Sequence, residues 1–386
     1  MSSSHKEAED WVRLYSPLSR MRPAWVEIDL RLMEENLQII RNHIGADKKI
    51  IPVVKADAYG HGIIPISRKL EALAVDMLGI SFIDEGVMLR REGIKIPILV
   101  MAGFSPGQAE ILLENKLTPA IFNLEMAQEL AKEADRFSQP FPYHLKVDTG
   151  LGRFGVPYQQ AVDLALKLKE IKELQMEGIF SHLSFEPPAN EFNLTQIDRF
   201  HQVINQLKEL SIEPPLVHMA NSSGVIAYPQ SWFNCVRPGT IISGNLPAGC
   251  SFPVKPILSF KTRIAYLRSF PPNTPVSYEA AFITCRETTV GFLPIGYSDG
   301  FNRLLSDGGE VLIRGRRVPI AGKICMNFTL VDVTDLPEAK LGDEAVIIGE
   351  SGEESITATH LARKLKTLPE EVLCRIDKGL RKVYLG

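Results

Sequence analysis

The chain has 386 residues, of which 45% are hydrophobic and 23% charged, and this is enough apolar material for more than one packed core. Its formal net charge of −3 argues against a nucleic-acid partner, because proteins that bind nucleic acids carry basic surfaces. No apolar run approaches the length of a transmembrane helix, which argues against a membrane protein.

Residues 1–22 mix acidic and basic side chains without an apolar segment, so we expect a flexible N-terminal tail rather than a secretory signal or a membrane anchor. Five cysteines are scattered without paired spacing: Cys235, Cys250, Cys285, Cys325 and Cys374. This usage suits a reducing compartment and predicts a cytoplasmic protein. No metal site is expected.

From residue 25 to about residue 238, short apolar runs alternate with amphipathic segments, which indicates repeated β-α units around a parallel sheet. Two apolar helical stripes are predicted, at Met33, Leu37, Ile40 and Ile44 and at Ile197, Phe200, Ile204 and Leu207. Candidate strands lie at 77–82, 96–101, 143–147, 176–182, 216–219 and 234–236. The predicted fold of residues 23–247 is an α/β structure, a (β/α)8 TIM-type barrel.

After about residue 248 the helical periodicity largely disappears, and side chains from 258 to 267 alternate with the period of a half-buried strand. Further strand-like runs are separated by Gly, Pro and Asp turns, at 289–293, 311–313, 318–321, 328–333 and 345–348. A short helix is predicted at 358–366. We expect residues 248–386 to form a mostly β C-terminal domain, with a hinge at 244–256 and a strand near 23–29 as a candidate to pack with it.

Lys55 closes an apolar, β-branched run that predicts a buried strand. A lysine that enters an apolar core loses hydration, so its pKa falls and the neutral amine can attack a carbonyl to form a Schiff base. Pyridoxal phosphate is the obvious carbonyl compound. The alternative is a structural lysine whose ammonium group reaches the surface.

Five polar residues lie at the ends of predicted strands: Lys55, Lys146, His182, Asn221 and Arg237. Barrel enzymes assemble their sites at the carboxyl ends of strands, so we expect these side chains to meet. An isolated residue of this kind more often caps a strand, but five together favour a functional site.

Eight segments resemble the alanine racemase family in the family's order and spacing, at residues 55–62, 146–155, 182, 218–222, 237–239, 277–282, 296–300 and 325–326. The resemblance extends over nearly all of the chain after about residue 22. It implies an isomerase that uses pyridoxal 5'-phosphate to interconvert L-alanine and D-alanine and supplies D-alanine for peptidoglycan. It also implies a homodimer whose subunits share their sites.

By this resemblance, Lys55 holds the cofactor through an imine and acts as the base on one face of the substrate carbon. Tyr278, from the neighbouring subunit, is the base on the other face; taken alone it would be an ordinary strand tyrosine with a buried hydroxyl. Arg237 matches the arginine at the pyridine nitrogen. A guanidinium cannot accept a proton, so the ring stays a weaker electron sink, which favours racemisation over side reactions.

The family's phosphate contacts match Tyr59, Ser222 and the main-chain amide of Gly239, and Asn221 belongs to the same cofactor-binding segment. His182 matches a histidine near the pyridine ring or the ring-binding arginine. The alternative for a lone histidine at a strand end is a structural role.

Arg153 matches the arginine that contacts the cofactor's phenolic oxygen and the substrate carboxylate, and the main-chain amide of Met326 completes the carboxylate site from across the dimer interface. Lys146 matches a lysine that many members carry as a carbamate, which would orient Arg153. The alternative is that Lys146 pairs with a nearby acid.

Two positions depart from the family pattern. Asn327 stands where an aspartate is common, which removes one negative charge beside Met326. Lys378 stands where some members have a phosphate-contacting tyrosine, so a racemase of serine or of a broader amino-acid range stays open. Tyr297 and Arg303 keep the family's substrate-corridor pattern.

Two further functions stay open on sequence grounds. One is a non-catalytic pyridoxal-phosphate-binding protein, although the small barrel proteins of that kind lack the β domain and Tyr278. The other is a decarboxylase of the same barrel type, in which a carboxylate would be expected in place of Arg237.

Overall fold

The computed structural model describes residues 22–136, 139–186, 190–246 and 250–386. The predicted tail lies outside these residues except for its last one, and so does the predicted boundary at 247/248. Contacts divide the described residues into a first unit, Leu30–Lys255, and a second unit in which Pro256–Gly386 associates with residues 22–29. The observed division thus falls eight residues after the predicted one, and strand β1 (Ala24–Asp29) belongs to the second unit.

The first unit contains short strands that share one sheet: β2 (Lys49–Ile50), β3 (Leu78–Ile80), β4 (Ile98–Val100), β5 (Thr118–Ile121), β6 (Phe141–Asp148), β7 (Val156–Pro157), β8 (Leu174–Phe180), β9 (Leu216–His218) and β10 (Cys235–Val236). The neighbour order among the described residues is β2-β10-β9-β8-β6-β5-β4-β3, with β7 paired to β6. Hydrogen bonds of 2.8 Å from the Val54 amide to the Gly79 carbonyl and from the Gly79 amide to the Pro52 carbonyl join the chain after β2 to β3. These bonds close the parallel sheet and confirm the predicted barrel.

Helices connect these strands: α1 (Leu30–Ile44), α2 (Ile63–Ala72), α3 (Ile83–Arg91), α4 (Ala109–Glu114), α5 (Leu124–Ala134), α6 (Ala161–Lys169), α7 (Glu191–Glu209) and α8 (Ser222–Ala227). Single 3₁₀ turns lie at Tyr158–Gln160, Pro229–Ser231 and Thr240–Ser243. Both predicted stripes pack inward, because Met33, Leu37, Ile40 and Ile44 of α1 and Ile197, Phe200 and Leu207 of α7 are buried. No described helix combines the length and the apolar character that crossing a lipid bilayer requires.

The second unit is mostly β, as predicted. Its strands are β11 (Leu258–Arg263), β12 (Tyr266–Phe270), β13 (Pro275–Val276), β14 (Phe282–Ile283), β15 (Thr288–Leu293), β16 (Glu310–Ile313), β17 (Arg316–Pro319), β18 (Thr329–Asp332), β19 (Glu344–Ser351), β20 (Glu354–Ile356) and β21 (Arg381–Leu385). The main sheet has the order β17-β16-β19-β11-β1-β21. Its helical segments are α9 (Ala358–Leu365), α10 (Pro369–Cys374) and 3₁₀ turns at Tyr278–Ala280, Tyr297–Asp299 and Arg303–Ser306.

Strand β1 lies between β11, which is antiparallel to it, and β21, which is parallel to it. Four of its six residues are buried, and a neighbour on each side pairs its backbone. The first strand among the described residues is therefore part of the sheet of the second unit.

Candidate active site

The predicted site residues of the first unit lie at the carboxyl ends of the barrel strands or just beyond them. Lys55 follows the bridge that Val53 makes with Gly79, and Lys146 is near the end of β6. The others lie in the segments after β6, β8, β9 and β10: Arg153, His182, Asn221, Ser222, Arg237 and Gly239. The barrel thus gathers side chains from distant parts of the sequence at the one end where barrel enzymes carry their sites.

The segment Lys55–Tyr59 is a turn of left-handed helix, which the sequence analysis did not predict. Ala56, Asp57, Ala58 and Tyr59 have φ between 51° and 58°, a conformation that costs about 1–2 kcal/mol per non-glycine residue. Gly60 ends the turn with φ 86°. Strain of this kind persists only where its surroundings hold it, and it clusters at functional sites.

Two carboxylates hold this left-handed turn. Glu85 accepts a hydrogen bond from the Ala56 amide at 2.6 Å, and its other oxygen accepts from the Ser81 amide at 2.8 Å. Asp57 accepts from the Ile63 amide at 2.8 Å and so ties the turn to the start of α2. Satisfied backbone donors keep Lys55 in place at the barrel mouth.

The mouth of the barrel is electropositive. The pKa of His182 is held well below its ordinary value by burial and by four cationic side chains, Arg237, Arg153, Lys55 and Lys146. Burial, with Arg153, Arg237 and Lys55, lowers the pKa of Lys146 to about 7. An arrangement of this kind stabilises anions, and a phosphate and a carboxylate are the anions that the predicted chemistry requires.

Lys146 makes a 2.8 Å hydrogen bond to the Met101 carbonyl, and its nitrogen lies 5.2 Å from the ring centres of Phe154 and Phe180. The Asp148 carboxylate raises the pKa of Lys146, but by less than each of the three neighbouring cations lowers it. The ion pair offered as the alternative therefore does not dominate the surroundings of this lysine.

Arg237 is 2% exposed and is held by acceptors around its guanidinium group. It donates to Nδ1 of His218 at 2.6 Å, to the Ser181 carbonyl at 2.6 Å and to the Met219 carbonyl at 3.1 Å. Burial lowers its pKa to about 10, so the group stays cationic at neutral pH. It is a fixed, permanently charged donor at the barrel mouth.

Ser222 and Tyr59 meet at Gly239. The Ser222 hydroxyl oxygen accepts hydrogen bonds from the amides of Gly239 at 3.0 Å and Ile241 at 3.4 Å, so its own hydrogen is available to another acceptor. A Cβ added to Gly239 would lie 2.5 Å from the Tyr59 hydroxyl oxygen. The Ser222 and Tyr59 hydroxyls therefore lie beside the Gly239 backbone, where the Gly239 amide orients the Ser222 hydroxyl, and hydroxyl donors in such a place fit a phosphate group.

Asn221 has a local role that the sequence analysis did not foresee. Its side chain accepts a 3.0 Å hydrogen bond from the Gly224 amide and caps the start of α8. The cap fixes the direction in which the chain enters the helix, and Ser222 is the first residue of that helix. Asn221 thereby orients Ser222.

In the second unit, Tyr278 is 66% exposed and opens the turn Tyr278–Ala280. Ser277 before it has φ 70° and ψ 179°, which non-glycine residues rarely adopt. The Ser277 hydroxyl accepts from the Lys323 amide at 2.9 Å and donates to the Lys323 carbonyl at 3.2 Å. Arg303, 3.8 Å from the Glu279 carboxylate, is a second tie on this loop.

Met326 is exposed, and its carbonyl accepts from the amide and the hydroxyl of Ser298 at 3.1 and 2.8 Å. Asn327 donates from its side-chain amide to the Ser298 hydroxyl oxygen at 3.0 Å. An ionised aspartate has no hydrogen to donate, so this departure from the family pattern adds a bond that fixes the Met326 loop. Tyr297 and Lys378 are both exposed.

Two family models match the chain: "Alanine racemase, N-terminal domain" over residues 28–247 and "Alanine racemase, C-terminal domain" over residues 257–384. The alanine racemase of Halothermothrix orenii is 38% identical over 367 residues, which are 94% of this chain and 97% of that protein. The solved structure of alanine racemase from Clostridium difficile 630 has a TM-score of 0.89 and 32% identity, and the match covers 95% of this chain and 96% of that one.

The solved alanine racemase of Streptomyces lavendulae also has a TM-score of 0.89, with 28% identity over 96% of this chain and 98% of that one. The first family model matches the barrel and the second matches the β unit, while each solved structure matches at least 95% of the chain. The chain belongs to the alanine racemase family.

Proposed function

We propose that the protein is a pyridoxal-phosphate-dependent alanine racemase that interconverts L-alanine and D-alanine. The observation that carries the proposal is the group of four cationic side chains at the barrel mouth, Lys55 among them, that lower the pKa of His182. This group belongs to a chain of the alanine racemase family. The donors around Gly239 fit the cofactor's phosphate, and Arg237 fits its ring nitrogen.

Bound pyridoxal phosphate supplies an electron sink for the electron pair that remains when the α-proton of an amino acid is removed. Lys55 would bind it covalently through Nζ and then carry a proton at one face of the substrate carbon. Tyr59, Ser222 and the Gly239 amide would hold the phosphate. Arg237 would donate to the ring nitrogen without being able to accept its proton, which supports racemisation over decarboxylation.

The substrate carboxylate needs a positive group, and Arg153 is the cation that supports this assignment. Arg153 lowers the pKa of both Lys146 and His182, so it lies within electrostatic reach of the barrel mouth. The main-chain amide of Met326 would donate to the same carboxylate from a second subunit. A guanidinium and a backbone amide together bind a carboxylate without selecting the side chain.

A homodimer follows from the need for a second proton carrier. Tyr278 and Met326 are both exposed, and in the first unit the exposed apolar side chains of Phe82, Met88 and Phe154 line one surface cavity. Exposed apolar groups near a site favour coverage by another protein surface. We infer that this surface belongs to a second copy of the chain, which brings Tyr278 to the face of the substrate opposite Lys55.

The test is proton NMR of cofactor-loaded protein with L-alanine in deuterated water, alongside a chiral assay for D-alanine. Loss of the α-proton signal together with D-alanine formation is the expected result. Formation of an amine would favour a decarboxylase. Exchange with serine but not with alanine would indicate a serine racemase. Exchange with neither amino acid would favour a non-catalytic binding protein.

We further infer that the product serves peptidoglycan synthesis in the cytoplasm. The cysteines Cys235, Cys250, Cys285, Cys325 and Cys374 are all free thiols, which supports a reducing compartment. Expression of the chain should restore growth of a bacterial D-alanine auxotroph without added D-alanine, and failure to do so with an active enzyme would contradict this role.

Gly239→Ala is expected to weaken cofactor binding by at least about tenfold, which corresponds to about 1.4 kcal/mol. The new methyl group would lie 2.5 Å from the Tyr59 hydroxyl oxygen and push it out of the phosphate donor set. Absorbance titration of cofactor-free protein with pyridoxal phosphate measures the change. Gly291→Ala, whose Cβ would lie 3.2 Å from its closest neighbour in the second unit, is the matched control. Equal affinities for both variants would contradict the donor assignment.

Lys146 is expected to form a carbamate. Its pKa of about 7 leaves about half of the side chains as neutral amines at pH 7, and the amine nitrogen can bond to carbon dioxide with release of one proton. Carbon-13 NMR of the cofactor-loaded enzyme in labelled bicarbonate should show a carbamate signal that Lys146→Gln removes and that Lys167→Gln, on the exposed side of α6, leaves in place. A signal that survives in Lys146→Gln would refute the assignment.

A further inference from the structure

A chain of hydrogen bonds leads from Arg237 into the barrel interior. Arg237 donates to Nδ1 of His218 at 2.6 Å, and Nε2 of His218 lies 2.8 Å from Nδ1 of His144. Nε2 of His144 lies 3.3 Å from a carboxylate oxygen of Glu177. Thr118 also reaches that carboxylate oxygen, at 3.5 Å. Both histidines are fully buried, whereas the Glu177 side chain is 32% exposed.

The packing around this chain keeps the rings in place. Phe180 is stacked on His218 with ring centres 5.0 Å apart and planes 3° from parallel. The Arg237 guanidinium also lies over the Phe180 ring, 5.0 Å from its centre. A Cβ added to Gly178 would lie 2.5 Å from Cε1 of His144. The strand β8 therefore supplies a platform, a gap for the His144 ring and the terminal carboxylate.

One arrangement of protons satisfies every bond. Burial lowers the pKa of both histidines, so each ring is neutral and has one donor and one acceptor nitrogen. Arg237 can only donate, so Nδ1 of His218 must accept and its proton must be on Nε2. That proton is donated to Nδ1 of His144, whose own proton must then be on Nε2. The last acceptor is the Glu177 carboxylate.

We propose that Glu177 is a positioning residue for Arg237, because its carboxylate selects the His144 and His218 tautomers that present an acceptor to the guanidinium. The proposal rests on the proposed function in one respect, since Arg237 would face the cofactor ring. In metal sites, groups that hydrogen-bond to a ligating histidine fix its tautomer and orientation, and their replacement typically lowers affinity or activity 10–100-fold; we expect an effect of this order for a group that orients a cofactor-binding arginine.

The tautomers can be observed directly by neutron diffraction from crystals of the deuterated, cofactor-loaded enzyme. Deuterium on Nε2 of both His144 and His218 is the expected result. Deuterium on Nδ1 of either ring overturns the proposal. This measurement requires neither a variant nor turnover, so it stands apart from the test of alanine racemisation.

Two substitutions of Glu177 distinguish an effect on the direction of the hydrogen bonds from an effect on packing. In Glu177→Gln the side-chain oxygen still accepts from His144, so kcat/KM and the cofactor's absorption and dissociation constant should stay within about threefold of the parent. In Glu177→Lys the ammonium can only donate, so both histidines must reverse and His218 would present N–H to Arg237. We expect kcat/KM and cofactor affinity to fall by about tenfold or more.

Glu173→Gln and Glu173→Lys make the same charge changes four residues earlier, just before β8, and serve as matched controls. Thermal melting of each variant shows whether it is folded. Equal values for folded Glu177→Gln and Glu177→Lys overturn the proposal. Cofactor affinity is a readout even in a protein that does not racemise alanine, so failure of the proposed function would be recognised separately.

Discussion

Lys55→Ala is expected to lower alanine racemisation by at least about 10⁴-fold and to abolish the absorbance of covalently bound cofactor. Lys55 would be both the attachment point and the proton carrier at one face of the substrate, so its loss removes two functions at once. Lys146, though buried at the same mouth with a pKa of about 7, is not placed to replace it, because it donates to the Met101 carbonyl and its nitrogen lies 5.2 Å from the ring centres of Phe154 and Phe180.

The measurement is a chiral assay for D-alanine, with absorption spectra of the loaded protein before and after dialysis. Lys49→Ala is the control, because Lys49 is an exposed lysine at the start of β2, on the strand that leads to Lys55. An imine absorbance that survives in Lys55→Ala, or the same loss of rate in Lys49→Ala, would refute the assignment of Lys55.

Tyr278→Phe is expected to slow racemisation by about 10²–10⁴-fold while leaving cofactor binding unchanged. The substitution removes the hydroxyl oxygen and keeps the ring, so the strained loop at Ser277 retains its bonds to Lys323. Lys55 can still remove and exchange the α-proton of one enantiomer, the one whose α-proton points toward Lys55. We therefore expect exchange with solvent from one enantiomer of alanine and almost none from the other.

Separate NMR experiments with L-alanine and D-alanine in deuterated water measure this asymmetry. Tyr266→Phe, a change at another exposed tyrosine of the second unit, is the control and should exchange both enantiomers at the parent rate. Equal loss for both enantiomers in Tyr278→Phe would argue for a general structural role, and unchanged rates for both would end the two-base assignment.

Local patterns predicted much of the fold, because they depend on short spacings. The stripe of Met33, Leu37, Ile40 and Ile44 packs inward as its helical period requires. The alternation that begins at Leu258 is seen in β11, although the single strand expected over 258–267 is divided into β11 and β12, with Ile264 buried between them.

Other features depend on partners that are distant in sequence, and no short pattern contains them. The pairing of β1 with β21 joins the two ends of the described chain, and no short pattern near residue 24 identifies β21 as the partner. The sequence places His144 only within a candidate strand, because its partners His218 and Glu177 come from two other strands. The left-handed turn after Lys55 departs from the intrinsic preference of alanine, and Gly60 and Gly62 were its only local signal.

The placement of β1 determines when the sheet of the second unit can form during synthesis. Because synthesis runs from the N-terminus, Ala24–Asp29 leaves the ribosome before the barrel, whereas both of its sheet neighbours, β11 and β21, leave after the barrel. An unpaired strand is a template for wrong pairing, and chains fold as they are made. The barrel is thus an insertion within the β unit, and the β sheet cannot be completed until β21 has left the ribosome.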